Sequence, residues 1–276
     1  MNEPVFEANS NDPGMKRAVA TARKTFRFFW REMTWEYRRI IPALDLAAIK
    51  AAFTDQEDLE SADDVEQMWV NDVAFDGRRL KGILINQPNW LTSVSQGDPV
   101  EIGLKDITDW MYACEGKVYG AFTVNHMRSE MPRAERKGHD DAWGLNFGDP
   151  AVIQYVPPAY IGEKPPGVIA RLLGKAETSQ DAAKVSATEH PMAVNMLEKM
   201  AEFFGEAENR ELADEDGLNV LHSMSLGGAA RGVDSLLKLG SDPTVKTRLG
   251  DTPFRLAKRL GWKSVMKVFE KHGVTE

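Results

Sequence analysis

Cysteine is almost missing from this sequence. Cys114 is the single one in 276 residues, so no intrachain disulfide can form. Long apolar runs are missing too, and none approaches the roughly 18 residues of a membrane span. The opening Met1-Asn2-Glu3-Pro4 has no basic segment leading into an apolar one, so no secretory signal is expected. These absences together predict a cytoplasmic setting. A basic excess is also lacking: net charge is -8 and the sequence pI about 5.3, which disfavours nucleic-acid binding. The five histidines, at 126, 139, 190, 222 and 272, are scattered and give no zinc spacing. No glycine run forms a phosphate loop, and no Ser-His-Asp order is persuasive. No cofactor and no metal are expected.

With 42% hydrophobic residues the chain can still bury a proper core. Residues 1–12 are polar and expected to be disordered. Asp12-Pro13-Gly14 then sets a helix start, with Asp12 able to cap and Pro13 suited to the first turn. Ala18, Ala22, Phe26, Phe29 and Met33 repeat at three or four residues and mark the buried stripe. Lys16, Arg17, Arg23, Lys24, Arg27 and Arg31 fall largely off it and read as a solvated basic face. The helix should end before Pro42. Leu44 to Phe53 fits either a helix or a strand, and a strand is expected. Residues 55–66 hold seven acids and no base, without the central glycine of a calcium loop. Within them Asp55, Glu57, Asp58, Glu60, Asp63 and Asp64 read as a solvated loop or as a docking patch for a basic protein.

The stretch from Glu66 to Met131 organises the chain. Met68 to Val73 alternates apolar and polar, turns at Asp76-Gly77, and returns through Leu80 to Asn86 as a hairpin. Gly82 inside it suggests a bulge or a close approach. Gly97-Asp98-Pro99 makes a second turn before Val100-Glu101-Ile102-Gly103-Leu104. Asp106 to Tyr112, a turn at Glu115-Gly116 and a strand from Lys117 to Asn125 complete about five short strands. That pattern predicts an α+β domain over residues 13–155: the N-terminal helix on a small, curled antiparallel sheet or partial barrel. Asp109 and His126 are the one pair that could do acid–base chemistry, as a hydrolase would. A structural Asp-Trp is the preferred reading, with Trp69, Asp109 and Trp110 all serving the fold. Cys114, in an apolar setting, reads as a buried inert thiol.

The phrases Gln67-Met68-Trp69-Val70, Gly82-Ile83-Leu84-Ile85-Asn86-Gln87-Pro88, Gly97-Asp98-Pro99-Val100, Ile107-Thr108-Asp109-Trp110-Met111-Tyr112 and Gly120-Ala121-Phe122-Thr123 occur in this order. With the helix from Met15 to Phe26 they resemble the bacterial YegJ-like family, domain of unknown function 2314, over roughly residues 13–131. Gln67 departs from that family's pattern, where His is expected. The resemblance implies an α+β domain in a bacterial cytoplasmic protein and carries no activity.

Residues 156–187 read as a linker, with the proline pairs 157–158 and 165–166 and a helix near Val168–Leu173. Thr188 is expected to cap a helix with the stripe Met192, Met196, Leu197, Met200, Phe203 and Phe204. An internal repeat follows. Gly217 and Gly250, Val220 and Pro253, Leu221 and Phe254, Gly228 and Gly261, Leu236 and Phe269, and Gly240 and Gly273 are each 33 residues apart. Thirty-three is the ankyrin period, and Asp251-Thr252-Pro253-Phe254 resembles the Thr-Pro-Leu-His phrase of those repeats. Residues 188–276 are therefore expected to form an all-α ankyrin-repeat domain, with the helix after Thr188 as its cap.

The resemblance to ankyrin arrays implies protein binding through the turn tips, here Asp214, Glu215, Asp216, Arg248 and Asp251. Trp90 and Trp143, both in loop-like settings, are candidate aromatic anchors. The expectation is a non-catalytic protein that binds a protein partner, without nucleic acid or membrane. Its sharpest form is an immunity protein neutralising a cognate antibacterial toxin, plausibly a basic nuclease. The alternatives are a regulatory scaffold with no toxin partner, and last a hydrolase using Asp109 and His126.

Overall fold

A computed structural model describes residues 12–56, 65–163 and 178–275. The chain divides into two compact units that interleave along the sequence. The sheet unit takes the chain through Phe26, Leu44–Ala74 and Arg79–Gln154. The helical unit takes Arg27–Ala43, Phe75–Arg78 and everything from Tyr155 on. Helix α1, Pro13–Glu36, thus gives its first half to one unit and its second half to the other. The segment 156–187, expected as a linker, contains a 3-10 turn at Pro158–Ile161 and helix α4 at Ala182–Ala187.

In the sheet unit, the Asp12 carboxylate accepts from the N–H groups of Gly14 (3.2 Å) and Met15 (2.7 Å) and starts α1. Six strands follow: β1 Leu44–Phe53, β2 Glu66–Phe75, β3 Arg79–Leu84, β4 Pro99–Gly103, β5 Ile107–Cys114 and β6 Lys117–Gly120. Their order is β4-β3-β2-β1-β5-β6, an open sheet rather than a partial barrel. The expected Lys117–Asn125 strand accounts for the difference. It stops after four residues, because Gly120 (φ +79°) and Ala121 (φ +57°) turn the backbone into the left-handed region. Helix α2, Phe122–Glu130, begins there, and helix α3, Arg133–Trp143, follows. A β6 this short gives the sheet no arm with which to close on β4. Gly120 is held by contact as well: a Cβ on it would lie 2.4 Å from the Trp110 carbonyl oxygen.

Each face of β5 has its own task. Trp110 is fully buried against α1, where its indole N–H donates to the Ala22 carbonyl (3.0 Å) and the Thr25 hydroxyl (3.2 Å). Met111 and Ala113 turn the other way and join Ala48, Trp69, Val118, Val124 and Phe147 in a second apolar cluster. The expected close approach at Gly82 is present, since a Cβ there would stand 2.5 Å from the Asn71 carbonyl oxygen. Cys114, at the end of β5, is half-buried rather than buried.

The helical unit contains α5 Pro191–Asn195, α6 Leu197–Phe203, α7 Ala207–Glu211, α8 Val220–Leu226, α9 Ala230–Lys238, α10 Pro253–Leu260 and α11 Lys263–Lys271. His190, not Thr188, caps α5, its Nδ1 accepting from the Met192 N–H at 3.1 Å. The stripe after it is split between two short helices and leaves Phe203 60% exposed. The basic face expected on α1 is only partly solvated. Arg31 is buried and donates to the carbonyls of Val185 (3.0 Å) and Thr188 (2.7 Å). Every residue from Phe28 to Trp35 is buried, so this part of the helix has no solvent side for a cation. The arginine is held by carbonyls instead. The helix expected near Val168–Leu173 lies outside the described residues. Among the described residues no helix is long and apolar enough to cross a membrane.

Candidate functional site

The 33-residue period is written in the backbone. Gly217 and Gly250 have φ of +80° and +79°, Gly228 and Gly261 +70° and +72°, and Gly240 and Gly273 +90° and +77°. Glycine adopts this region without the Cβ penalty, so each marks a turn that the repeat requires. The hydrogen bonds repeat in the same register. The Asp214 N–H donates to Leu218 O (3.1 Å), as Thr247 N–H does to Asp251 O (3.0 Å). Ala229 N–H donates to Met224 O (3.0 Å), as Trp262 N–H does to Ala257 O (2.9 Å). The pairs α8–α9 and α10–α11 are two copies of one helix–turn–helix unit.

The start of each copy is capped differently. Asn219 and His222 form a reciprocal box: the His222 N–H donates to Asn219 Oδ1 (3.1 Å), and the Asn219 N–H to His222 Nδ1 (3.2 Å). The His222 ring also reaches Val245 O at 3.2 Å, which ties the first copy to the loop leading into the second. Burial pushes the His222 pKa down, which favours the neutral ring that can accept the Asn219 N–H. In the second copy Thr252 caps and Pro253 takes the first turn.

The tip residues separate into outward and inward groups. Glu215 and Arg248 are exposed, and the backbone N–H of Arg248 donates to the Asp216 carbonyl (2.9 Å), joining the two tips. Asp214 is exposed and shapes its own turn, accepting from the N–H groups of Asp216 (3.0 Å) and Leu218 (2.8 Å). A cavity of about 240 Å³ beside this tip is lined by Arg210, Gly217, Asn219, Asp242, Val245 and Lys246. Asp251, expected at the exposed tip, is only 1% exposed. Its carboxylate accepts from Arg78 (2.7 and 3.2 Å) and from Arg259 (2.8 and 2.9 Å), and these guanidinium groups hold its pKa down at about 2. Arg259 also donates to the Gly77 carbonyl at 3.0 Å. Asp251 is thus a buried anchor for the turn at Gly77, not a surface offered to a partner. Sequence reading missed both partners: Arg78 lies 173 residues from Asp251, and Arg259, only eight away, follows no pairing pattern read there.

The other candidates are dispersed. Asp55 is exposed at the end of β1 and clasps a loop, accepting from the N–H (2.8 Å) and hydroxyl (2.9 Å) of Thr92 and the N–H of Ser93 (3.1 Å). Glu57, Asp58, Glu60, Asp63 and Asp64 lie outside the described residues. Trp90 is 52% exposed. Trp143 is 36% exposed, and its ring packs edge-on against Trp69 (6.3 Å) and Phe147 (6.1 Å), so it is partly a core residue. Composition gave no sign of one further apolar surface: in the loop after α1, Ile40 is 100% and Ile41 80% exposed.

Asp109 and His126 are not joined by a hydrogen bond. Asp109 is fully buried and accepts from the N–H groups of Trp110 (2.8 Å), Phe122 (2.9 Å), Thr123 (2.7 Å) and Val124 (3.4 Å) and from the Thr123 hydroxyl (2.6 Å). Burial pushes its pKa up against those donors and against Lys50. It is the cap of α2, supplied from the neighbouring strand. His126 pairs with Asp12 at the start of α1, with Glu130 at 4.0 Å.

An open antiparallel sheet with one long helix, followed in sequence by helix pairs repeating every 33 residues, defines the class: an α+β domain joined to a helical-repeat segment. The chain belongs to the family described as "Uncharacterized protein conserved in bacteria (DUF2314)", whose pattern matches residues 12–147. A protein of Neisseria meningitidis serogroup B named "Putative ankyrin repeat protein" is 37% identical over 268 residues, 96% of each chain. The uncharacterized protein YegJ of Escherichia coli K12 is 32% identical over 91 residues, 33% of this chain and 56% of that one.

Proposed function

We propose that this protein is a non-catalytic protein-binding protein. In its sharper form the proposal is an immunity protein that neutralises a cognate antibacterial toxin. The observation that carries protein binding is the pair of 33-residue units with exposed tips at Asp214, Glu215 and Arg248. The ankyrin repeat name of the Neisseria relative supports the same reading. A helical repeat offers an extended surface made of successive turns, suited to binding. The net charge of -8 favours a basic partner, and a basic nuclease is the toxin class that fits. Asp109 has its oxygens taken up by five donors, which argues against the hydrolase reading. A cytoplasmic location accords with the absence of a long apolar helix among the described residues.

The test is affinity capture with the tagged full chain from cells that express it, followed by identification of bound proteins. Capture of a basic protein whose toxicity is suppressed by co-expression supports the immunity form. Capture of a non-toxic partner would replace it with a regulatory scaffold. If nothing is captured, and a turnover found for the protein is abolished by Asp109→Asn in a folded variant, protein binding is overturned in favour of an enzyme.

A further inference from the structure

Beside the second apolar cluster of the sheet unit stands a cation whose ammonium has no hydrogen-bond acceptor among the described residues. Lys50 stands in β1 between Trp69 of β2 and Asp109 of β5, its register partners on either side. By strand alternation it shares a face with Ala48, a member of that cluster. Its side chain is half-buried, and Nζ lies 5.8 Å from the centroid of the Trp69 ring. The group of opposite charge facing it is Asp109, and the element on its other side presents the uncharged Trp69. Asp109 gives Lys50 a field but no hydrogen bond, because its oxygens are taken by four donors at the start of α2 and by the Trp110 N–H. The Lys50 ammonium makes no hydrogen bond or ion pair among the described residues. Two positions along β2 from Trp69, the Asn71 Oδ1 is also buried without a partner among the described residues.

An ammonium drawn out of water with no acceptor is costly, and an amide on the same carbon chain is far less so. Burial accordingly lowers the Lys50 pKa, which raises the share of the free, nucleophilic amine. We propose that Lys50 is an acylation site, at which the amine takes an acyl group from an activated donor of the acyl-phosphate class. In that step Nζ attacks the acyl carbon and an N–C bond forms. The C–O bond to phosphate breaks, phosphate leaves with its electron pair, and the nitrogen's proton passes to solvent. The product is a neutral amide over the Trp69 ring, and the charge opposite Asp109 is lost.

The experiment treats the folded full-length protein with limiting acetyl phosphate at pH 8 and maps acetylated peptides by mass spectrometry. Lys50 is expected to be modified several-fold faster than the exposed Lys24, Lys199 and Lys246, and the preference should vanish when the protein is unfolded in guanidinium. A folded Lys50→Arg variant should lose that peptide's label and keep the others. Modification of Lys50 at the rate of the exposed lysines or more slowly would overturn the proposal. It would show an amine sequestered in the sheet, for instance by pairing with Asn71.

Discussion

The sheet unit and the helical unit each bury one aspartate almost completely, Asp109 at 0% and Asp251 at 1% exposure, and they hold it by opposite means. Asp109 is held chiefly by dipoles: backbone N–H groups and a hydroxyl at the start of α2, with Lys50 nearby. Burial wins there, and its pKa rises. Asp251 is held by two full charges, Arg78 and Arg259, and its pKa falls to about 2 from an ordinary 3.8. Two identical side chains at similar burial therefore carry opposite pH dependence. The lesson is that burial alone does not set a carboxylate's state. What matters is whether charges or dipoles replace the lost water.

The largest effect should come from Asp109→Ala. It leaves four backbone N–H groups and the Thr123 hydroxyl without their acceptor and Lys50 without its counter-charge. A loss of about 3–5 kcal/mol is expected, read as a lower urea midpoint. Gly120→Ala comes next, at about 3 kcal/mol, because it adds a clash with the Trp110 carbonyl to the left-handed strain. Gly240→Ala has the same sign of φ but nothing within 4 Å of the new Cβ, so it should cost only about 1 kcal/mol. Equal costs for the two glycines would show that the close approach at Gly120 is not real.

Asp251→Ala should cost less than Asp109→Ala, about 2 kcal/mol, because Arg78 and Arg259 are partly exposed and can turn to water. Its signature is in pH. A folded pKa of about 2, below the ordinary 3.8, gives stability that is present above 3.8 and lost as pH falls toward 2. Asp109, with its pKa raised, contributes in the other sense: its share is fullest below the ordinary value and is lost as pH rises through the folded one. Thermal melts at stepped pH should show a drop between pH 4 and 2 that is flattened in Asp251→Asn. If that variant keeps the full drop, the two-arginine clamp does not exist in solution. The smallest effect belongs to Trp90→Ala, about 0.5 kcal/mol or less on stability, as expected of an exposed side chain. A partner that anchors on Trp90 would lose affinity sharply without any change in melting.

Much of the architecture was legible from local rules. The turns at Asp76-Gly77, Gly97-Asp98 and Glu115-Gly116 are where glycine and short polar residues put them, with positive φ at Gly77, Gly97, Glu115 and Gly116. The repeat glycines follow from the same kind of signal, whereas β1, which local pattern left open between helix and strand, was expected as a strand because the sheet needed a partner. What failed was longer in range. The Lys117–Asn125 segment reads as a strand because Val118, Tyr119, Phe122 and Val124 are good strand formers. Asp109, on the strand paired with β6, caps a helix there instead. The Asp251 tip looked solvent-facing because Arg78 lies far away in sequence.

The sequence by itself determined the turns, the 33-residue period and the family, since each rests on residues close together or on a fixed spacing. Tertiary structure alone decided that the sheet stays open, that Arg31 and Asp251 are buried, and that the Lys50 ammonium finds no acceptor among the described residues. Those outcomes depend on which distant donor or charge reaches a buried group first, and burial makes that choice worth several kcal/mol.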